Sequence, residues 1–232
     1  SEMCIRDRSY TLDDLARMID HTNLHTDASP KDMEVLCNEA KEHHFAMVAI
    51  NQVQSGLCAK LLEGTDIHTG AAISFPLGQT TIASKVFDTK DAIANGASEI
   101  DMVINIGFLK DGRYEEVENE IRAIHEACDG RILKVIIETC LLTEEEKIKM
   151  CEIVTNAGAE FIKTSTGFST AGATFDDVAL MKEHVGENVK IKAAGGISSF
   201  DDAEKFISLG ASRLGTSRLI KIMKNTDNGA GY

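Results

Sequence analysis

The sequence predicts an α/β fold with one domain built on a parallel sheet. Short apolar runs alternate about eight times with amphipathic helical segments along the 232 residues. Parallel strands cannot be joined by tight hairpins, so each pair needs a crossover, and the helical segments supply it. No linker rich in proline or serine divides the chain, which contains only two prolines. A Gly-Ala turn recurs ahead of three strands and indicates a regular, repeating arrangement.

The strands are predicted from runs of apolar and β-branched residues. In chain order they lie at 18–20, 45–50, 69–74, 99–104, 133–139, 161–164, 190–193 and 213–215. Helical periodicity is clearest at 80–94, 114–127, 144–156, 175–184 and 200–209. Three helices begin at a Ser or Thr that is followed three residues later by an acid, a spacing that satisfies free N–H groups. These pairs are Thr143 with Glu146, Thr174 with Asp177, and Ser199 with Asp202.

The recurring turn predicts which strand positions share a height. Gly-Ala occurs at 96–97, 158–159 and 210–211, each time at the end of a helix and before a strand. Five residues after each glycine stand Asp101, Lys163 and Gly215. Equal spacing from equivalent turns gives equal height and the same side of the sheet. In a closed eight-stranded barrel that side is the interior near the C-terminal mouth, although similar helix ends also occur in other α/β proteins.

Composition limits the partners and the compartment. A formal net charge of −13 argues against nucleic acid and anionic membrane, since both need a basic surface. The six cysteines form no Cys-x-x-Cys pair and no zinc-type pattern with histidine, so we expect reduced thiols and no metal site. No apolar run is long enough to span a membrane, and we expect a cytoplasmic protein. Residues 1–10 are expected to be an N-terminal extension whose native origin the sequence does not establish, 11–225 the barrel domain, and 226–232 a flexible C-terminal tail.

Lys163 has the clearest chemical signature in the chain. It lies in an apolar strand, where an ammonium group is unfavourable unless a partner or a lowered pKa compensates. A neutral amine at such a place is a nucleophile toward carbonyl carbon. Lys192 has a similar setting, and two amines that converge on one site push one of them toward neutrality. The pattern predicts Schiff-base chemistry in which Asp101 keeps Lys192 charged and relays protons.

These residues also have a structural interpretation. Lys163 and Lys192 could form buried ion pairs with Asp101, although such pairs are rarely retained for stability alone. Lys190, which begins the strand of Lys192, is interpreted as a solvated surface residue.

Glycine-rich and polar stretches follow the last three predicted strands. In barrels of this kind, the loops after the seventh and eighth strands and the N-terminus of a short helix, here 218–224, cradle phosphate with backbone N–H groups. The loop that follows Lys163 is expected to add a third side. The residues expected to bind phosphate are Thr166, Gly167, Gly195, Gly196, Gly215 and Ser217.

Six motifs, in chain order, resemble the deoxyribose-phosphate aldolase family and together cover 12–217. They are IDHT at 19–22, FPLG at 75–78, EIDMVINIG at 99–107, LKVIIET at 133–139, FIKTSTGF at 161–168 and KAAGGI at 192–197. The resemblance implies a TIM (β/α)8 barrel that acts as a homodimer. It also implies a class I aldolase that reversibly cleaves 2-deoxy-D-ribose 5-phosphate into D-glyceraldehyde 3-phosphate and acetaldehyde, without metal or organic cofactor.

The same resemblance implies roles for single residues. Lys163 matches the Schiff-base lysine, with Asp101 and Lys192 as proton donor or acceptor. The positions that match phosphate contacts are Gly167, Gly195, Gly196 and Ser217.

Two further expectations concern the ends of the barrel domain. Asp20 and Thr22, at the end of the first strand, are expected to orient sugar hydroxyls. Tyr232, in the tail, is expected to aid proton transfer, unless the tail is simply a frayed terminus. Two other functions stay open, a Schiff-base aldolase of the same barrel class acting on a ketose phosphate and a non-catalytic barrel that binds phosphate.

Overall fold

Eight parallel strands close into a barrel in chain order, with the last strand paired to the first. The strands are β1 (Ile19–Asn23), β2 (Met47–Asn51), β3 (His68–Ile73), β4 (Glu99–Val103), β5 (Ile132–Ile136), β6 (Phe161–Lys163), β7 (Lys190–Ala194) and β8 (Ala211–Thr216). The structure is a computed structural model that describes residues 10–227. The predicted fold class, a single-domain TIM barrel, is confirmed.

Helices connect the strands around the outside of the barrel. They are α1 (Leu12–Ala16), α2 (Pro30–His43), α3 (Ser55–Leu61), α4 (Ile82–Ala94), α5 (Ile106–Lys110), α6 (Tyr114–Ala127), α7 (Glu144–Ala157), α8 (Phe175–His184), α9 (Phe200–Ser208) and α10 (Leu219–Asp227). The three predicted N-caps are present, because the side chains of Thr143, Thr174 and Ser199 each accept a hydrogen bond from the N–H three residues later. Helix α10 continues into the first two residues of the segment expected to be a tail.

One predicted strand was too long. The apolar run at 133–139 suggested a continuous strand, but β5 ends at Ile136 and a short 3₁₀ turn follows at Thr139–Leu141. Glu138 has a left-handed backbone with φ of 54°, which breaks the pleat. The prediction failed because an acid in an apolar run carries no sequence signal for this conformation.

Side chains along each strand alternate between two buried regions, the apolar core under the helices and the inside of the barrel. Strand residues such as Ile100, Val135, Ile162 and Ile191 pack with the helices in one apolar core that surrounds the barrel. The residues between them point into the barrel, where β4, β5, β6 and β7 carry charged side chains. The fold therefore places its hydrophobic core outside the strands and its polar residues inside them.

Other expectations can be compared with the described residues. Lys190 is exposed at the start of β7, as predicted. The five cysteines from Cys37 to Cys151 are free thiols, and Cys4 lies outside the described range. Between residues 10 and 227, no helix has the length and apolar character needed to cross a membrane.

Candidate active site

Three predicted residues meet inside the barrel near its C-terminal end. Lys163 Nζ lies 3.1 Å from Asp101 Oδ2 and donates a hydrogen bond to it. Lys192 Nζ donates to the same oxygen at 2.7 Å. All three side chains are at most 4% exposed. One carboxylate oxygen thus joins two amines that come from different strands.

Strand register brings the three groups together. Lys163 and Lys192 are directly paired neighbours on β6 and β7. Asp101 faces them from β4, on the other side of β5. Gly215 on β8 leaves room for Lys192, because a Cβ added at this glycine would lie 3.0 Å from Lys192 Cε. The three positions predicted from the Gly-Ala turns to share a height therefore surround one site: Asp101, Lys163 and Gly215, whose missing side chain leaves room for Lys192.

Further charged side chains join the same cluster, and three of them, Glu99, Lys134 and Arg213, were not predicted from the sequence. Lys134 Nζ on β5 lies 3.1 Å from Asp101 Oδ1 and 2.7 Å from Glu99 Oε1. Arg213 Nη1 on β8 contacts Glu99 Oε1 at 3.2 Å and Asp20 Oδ1 at 2.6 Å. Asp20 Oδ2 is also within 2.7 Å of Lys192 Nζ.

The missed residues did carry a signal. Lys134 is a lysine inside an apolar strand, which is the same feature that identified Lys163. Glu99 and Arg213 stand two residues before Asp101 and Gly215, and side chains two apart on a strand share a face. A period-two search from the predicted site residues would have found both.

Charge balance inside the barrel explains the state of Lys163. The carboxylates of Asp20, Glu99 and Asp101 are matched one for one by the cations of Lys134, Lys192 and Arg213. A protonated Lys163 would add a positive charge with no carboxylate of its own in this cluster. Buried charge that is not compensated is strongly disfavoured.

The pKa shifts follow from this balance. Burial, and then the charge of Lys192, lower the pKa of Lys163 to about 8, while Asp101 opposes the change. At pH 7 about one amine in ten is then neutral, compared with about one in a few thousand at the ordinary lysine pKa. Burial tends to raise the pKa of Asp101, but Lys134, Lys192 and Lys163 outweigh it and hold that pKa well below its usual value. The site therefore combines a buried amine that is partly neutral at pH 7 with an ionised carboxylate.

Glycines shape the loops above β6, β7 and β8. Gly167, Gly195 and Gly196 have φ of 84°, 79° and 77°, in the left-handed region that favours glycine. Gly172 packs so closely on Gly195 that an added Cβ would lie 2.5 Å from the backbone carbon of Gly195. Open space surrounds Gly167 and Gly196. The loops after β6 and β7 are thus pressed together while their tips stay accessible, an arrangement in which backbone N–H groups can face an anion.

Thr166 has a partner that the sequence did not reveal. Its hydroxyl donates to Glu138 Oε2 at 2.6 Å, and its N–H donates to Glu138 Oε1 at 3.1 Å. The Thr166 oxygen in turn accepts a hydrogen bond from the N–H of Phe168 at 3.0 Å. The hydroxyl proton of Thr166 is therefore committed to Glu138, and the threonine anchors the loop that carries Gly167.

The remaining predicted residues lie at different depths. Asp20 has no exposed surface, and its carboxylate forms ion pairs with Lys134, Lys192 and Arg213. Thr22 is half-buried, and its hydroxyl donates to the carbonyl oxygen of Asp20 at 2.9 Å. Ser217 is exposed beyond the end of β8 and lines a cavity of about 310 Å³ between the loop after β1 and α10. Tyr232 lies outside the described residues.

Comparison with known proteins gives consistent matches along most of the chain. Residues 15–216 match the model of a family described as DeoC/LacD family aldolase. A deoxyribose-phosphate aldolase from Lactobacillus acidophilus is 57% identical over 215 residues, which is 92% of this chain and 91% of the relative. A protein of the same name from Clostridium perfringens is 53% identical over 219 residues, covering 94% and 98% of the two chains.

Solved structures agree with these sequence matches. The tetrameric deoxyribose phosphate aldolase from Aeropyrum pernix superimposes with a TM-score of 0.88 at 29% identity. The match covers 95% of this chain and 94% of the other. The barrel, its length and its connections are thus shared with this protein.

Proposed function

Because this chain belongs to the DeoC/LacD family of aldolases, we propose that it reversibly cleaves 2-deoxy-D-ribose 5-phosphate into D-glyceraldehyde 3-phosphate and acetaldehyde. The observation that carries the proposal is the buried amine of Lys163, whose pKa is lowered to about 8 and which contacts Asp101. A buried, partly neutral lysine beside a carboxylate is the arrangement that Schiff-base chemistry needs. No metal ion or organic cofactor takes part in the proposed reaction.

The proposed reaction begins with attack of the Lys163 amine on the aldehyde carbon of the open-chain sugar. The carbinolamine loses water and becomes an iminium, which draws electrons from the bond between the second and third carbons. That bond breaks as the 3-hydroxyl loses its proton, and D-glyceraldehyde 3-phosphate leaves. The remaining enamine takes a proton on its second carbon, and water then hydrolyses the iminium to release acetaldehyde and free lysine.

Asp101 and Lys192 are the proposed carriers of these protons. Asp101 is ionised in the resting site because three neighbouring amines hold its pKa low, so it is present in the form that accepts a proton. Lys192 lies 2.7 Å from both Asp101 and Asp20, and these two carboxylates hold its amine in position as a donor. Tyr232 is proposed to assist at the enamine carbon.

The phosphate is proposed to sit over the loops after β6, β7 and β8. Left-handed glycines leave their N–H groups free of Cβ crowding, and Thr166 anchors the first loop through Glu138. Phosphate held away from the reacting carbons supplies binding energy that positions them. The proposed contacts are Gly167, Gly195, Gly196, Gly215 and Ser217, with Thr166 acting through its loop.

Sugar hydroxyls are proposed to meet the end of β1. Thr22 lies near the C-terminal end of β1, whereas Asp20 lies two residues deeper in the strand and acts through Lys192. The proposed partners are phosphorylated sugars and small aldehydes, and the proposed assembly is a cytoplasmic homodimer.

A coupled assay tests the proposal. Wild type is expected to release D-glyceraldehyde 3-phosphate from deoxyribose 5-phosphate, and Lys163→Ala is expected to lose this activity by at least about a thousandfold. Lys190→Ala, which changes an exposed lysine of β7, serves as the matched control and should behave as wild type.

Covalent trapping supplies the second measurement. Limiting acetaldehyde with borohydride should add two carbons to the nitrogen of Lys163 before it labels exposed lysines such as Lys190. Turnover by Lys163→Ala, or labelling of exposed lysines without labelling of Lys163, would contradict the proposal. Cleavage of a ketose phosphate without acetaldehyde release would favour the other aldolase class.

A further inference from the structure

Three aromatic rings from distant loops meet at the mouth of the barrel. The ring of Phe168 lies 5.5 Å from that of Phe75, with an angle of 86° between the planes. It lies 6.3 Å from the ring of His25, at 69°. Both are edge-to-face contacts within the distance range that aromatic pairs prefer. We call Phe168, Phe75 and His25 the aromatic bridge.

Topology fixes where the aromatic bridge lies. His25 follows β1, Phe75 follows β3 and Phe168 follows β6, all at the C-terminal ends of their strands. In the closed order of strands, β6 is three steps from β3 and three steps from β1. Side chains from loops so far apart on the ring can touch only over the barrel axis. The bridge therefore crosses the mouth, above the interior that holds Lys163.

Phe168 is anchored through its backbone while its outer face meets water. Its N–H donates to Thr166 Oγ1, and Thr166 is fixed in turn by the buried carboxylate of Glu138. The side chain is an exposed large apolar group, with 47% of its surface accessible, although it belongs to the loop of a polar site. The adjacent Gly167 has open space around it and a left-handed backbone. The backbone anchor at Thr166 thus fixes the loop next to Phe168, and the contacts with Phe75 and His25 orient the ring.

Resting on the proposed function, we propose that Phe168 is a substrate-contacting residue that covers the carbon chain of the substrate attached to Lys163. Phe75 and His25 hold the ring in place over the mouth. The iminium and enamine at Lys163 both react with water, so an apolar cover above them favours carbon–carbon chemistry over early hydrolysis. The ring acts on the carbon chain, while the neighbouring Gly167 belongs to the phosphate side of the same loop.

Two substrates separate this role from an effect on phosphate binding. The kinetic constants of Phe168→Ala are measured with deoxyribose 5-phosphate and with 2-deoxy-D-ribose, which has no phosphate. We expect kcat/KM to fall about tenfold for both, because the two aromatic contacts are lost in each case. Phe168→Leu, which keeps an apolar cover, should recover most of the activity. Phe87→Ala changes an exposed phenylalanine of α4 and should have no effect.

Each outcome decides the proposal. A loss confined to the phosphorylated substrate would mean that Phe168 acts only through the phosphate loop, and would overturn it. Activity of Phe168→Ala within twofold of wild type on both substrates would also overturn it. His25→Ala removes the ring that contacts Phe168 from the loop after β1, and should show a smaller loss of the same kind on both substrates. Borohydride trapping at Lys163 is followed in every variant. Failure of trapping in wild type would refute the proposed aldolase function. If trapping persists in wild type and in the variants, the kinetic results test the role of Phe168 alone.

Discussion

At Lys163, the burial that makes the amine reactive also destabilises the folded protein. The unfolded chain holds a proton on this lysine up to about pH 10.5, whereas the folded site releases it near pH 8. Below pH 8 both states are protonated, and the folded state carries a charge that its surroundings do not balance. The contribution of Lys163 to the free energy of unfolding therefore rises with pH between about 8 and 10.5, because the unfolded state binds more protons than the folded state in this pH range.

Lys163→Met tests this trade-off. Methionine keeps most of the side-chain volume and removes the charge, so we expect the free energy of unfolding at pH 7 to increase by roughly 1–3 kcal/mol. The gain should shrink as the pH rises from about 8 to 10.5, where wild type also loses its charge. Urea unfolding at several pH values measures the difference. A variant that is less stable than wild type at pH 7 would show that the charged amine is well compensated.

At the scale of elements, a buried ion pair outside the site holds the end of β4. Lys85 on α4 and Glu120 on α6 are both almost fully buried and form a close ion pair. Lys85 Nζ also donates to the carbonyl oxygen of Val103 at 2.8 Å, and Glu120 Oε2 accepts from the N–H of Asn105 at 3.0 Å. These are backbone groups at the point where the chain leaves the sheet, so side chains replace the missing ladder partners.

Glu120→Gln is expected to lower the free energy of unfolding by about 3–5 kcal/mol, because it leaves the Lys85 ammonium buried without a countercharge. Lys149→Ala breaks a half-exposed pair with Glu152 and should change stability by less than about 1 kcal/mol. Denaturant unfolding of the two variants gives the comparison. In the double variant Lys85→Met with Glu120→Gln the loss should be smaller than the sum of the single losses, since no unpaired charge remains. Simple additivity would show that the pair is not coupled.

The strands and helices were the part of the structure that could best be predicted from the sequence. Strand positions followed from apolar runs, and the common height of Asp101 and Lys163 followed from equal spacing after Gly-Ala turns. Local signals failed where the backbone conformation depends on a distant partner, as at Glu138, whose left-handed turn is fixed by Thr166 of the next loop.

Contacts across the barrel were harder to predict from the sequence, because they depend on how far each strand is shifted relative to its neighbours when the sheet closes. The sequence indicated that Lys134 lies in a strand but not that its amine reaches Asp101 and Glu99. The aromatic bridge was even harder to predict, because its three rings come from loops far apart in the chain. No spacing rule connects such positions.

At the scale of the whole molecule, closure of the barrel makes its interior one electrostatic unit. Asp20 comes from β1, Asp101 from β4 and Lys192 from β7, yet one amine contacts both carboxylates at 2.7 Å. Arg213 on β8 completes the cluster by joining Asp20 to Glu99. A charge removed anywhere in this cluster therefore changes the proton affinity of Lys163, even where the two side chains do not touch.

Arg213→Met is the corresponding prediction, because Arg213 pairs with two of the three carboxylates and, among the described residues, forms no hydrogen bond or ion pair with Lys163. Without it, a protonated Lys163 restores neutrality in the interior, so the pKa of Lys163 should rise above about 8. Each unit of increase lowers the neutral fraction at pH 7 about tenfold, and the rate of acetaldehyde trapping should fall with it.

The pH profile of trapping distinguishes this electrostatic effect from structural damage. In Arg213→Met the rate should recover at high pH, where the amine is neutral again, and the midpoint of the rise should be displaced upward by at least about one unit. Arg122→Met removes a half-exposed arginine of α6 and should leave the midpoint near that of wild type. A midpoint that stays near pH 8 in Arg213→Met, with a uniformly lower rate, would mean that the local contacts of Lys163 with Asp101 and Lys192 set its proton affinity without the rest of the interior.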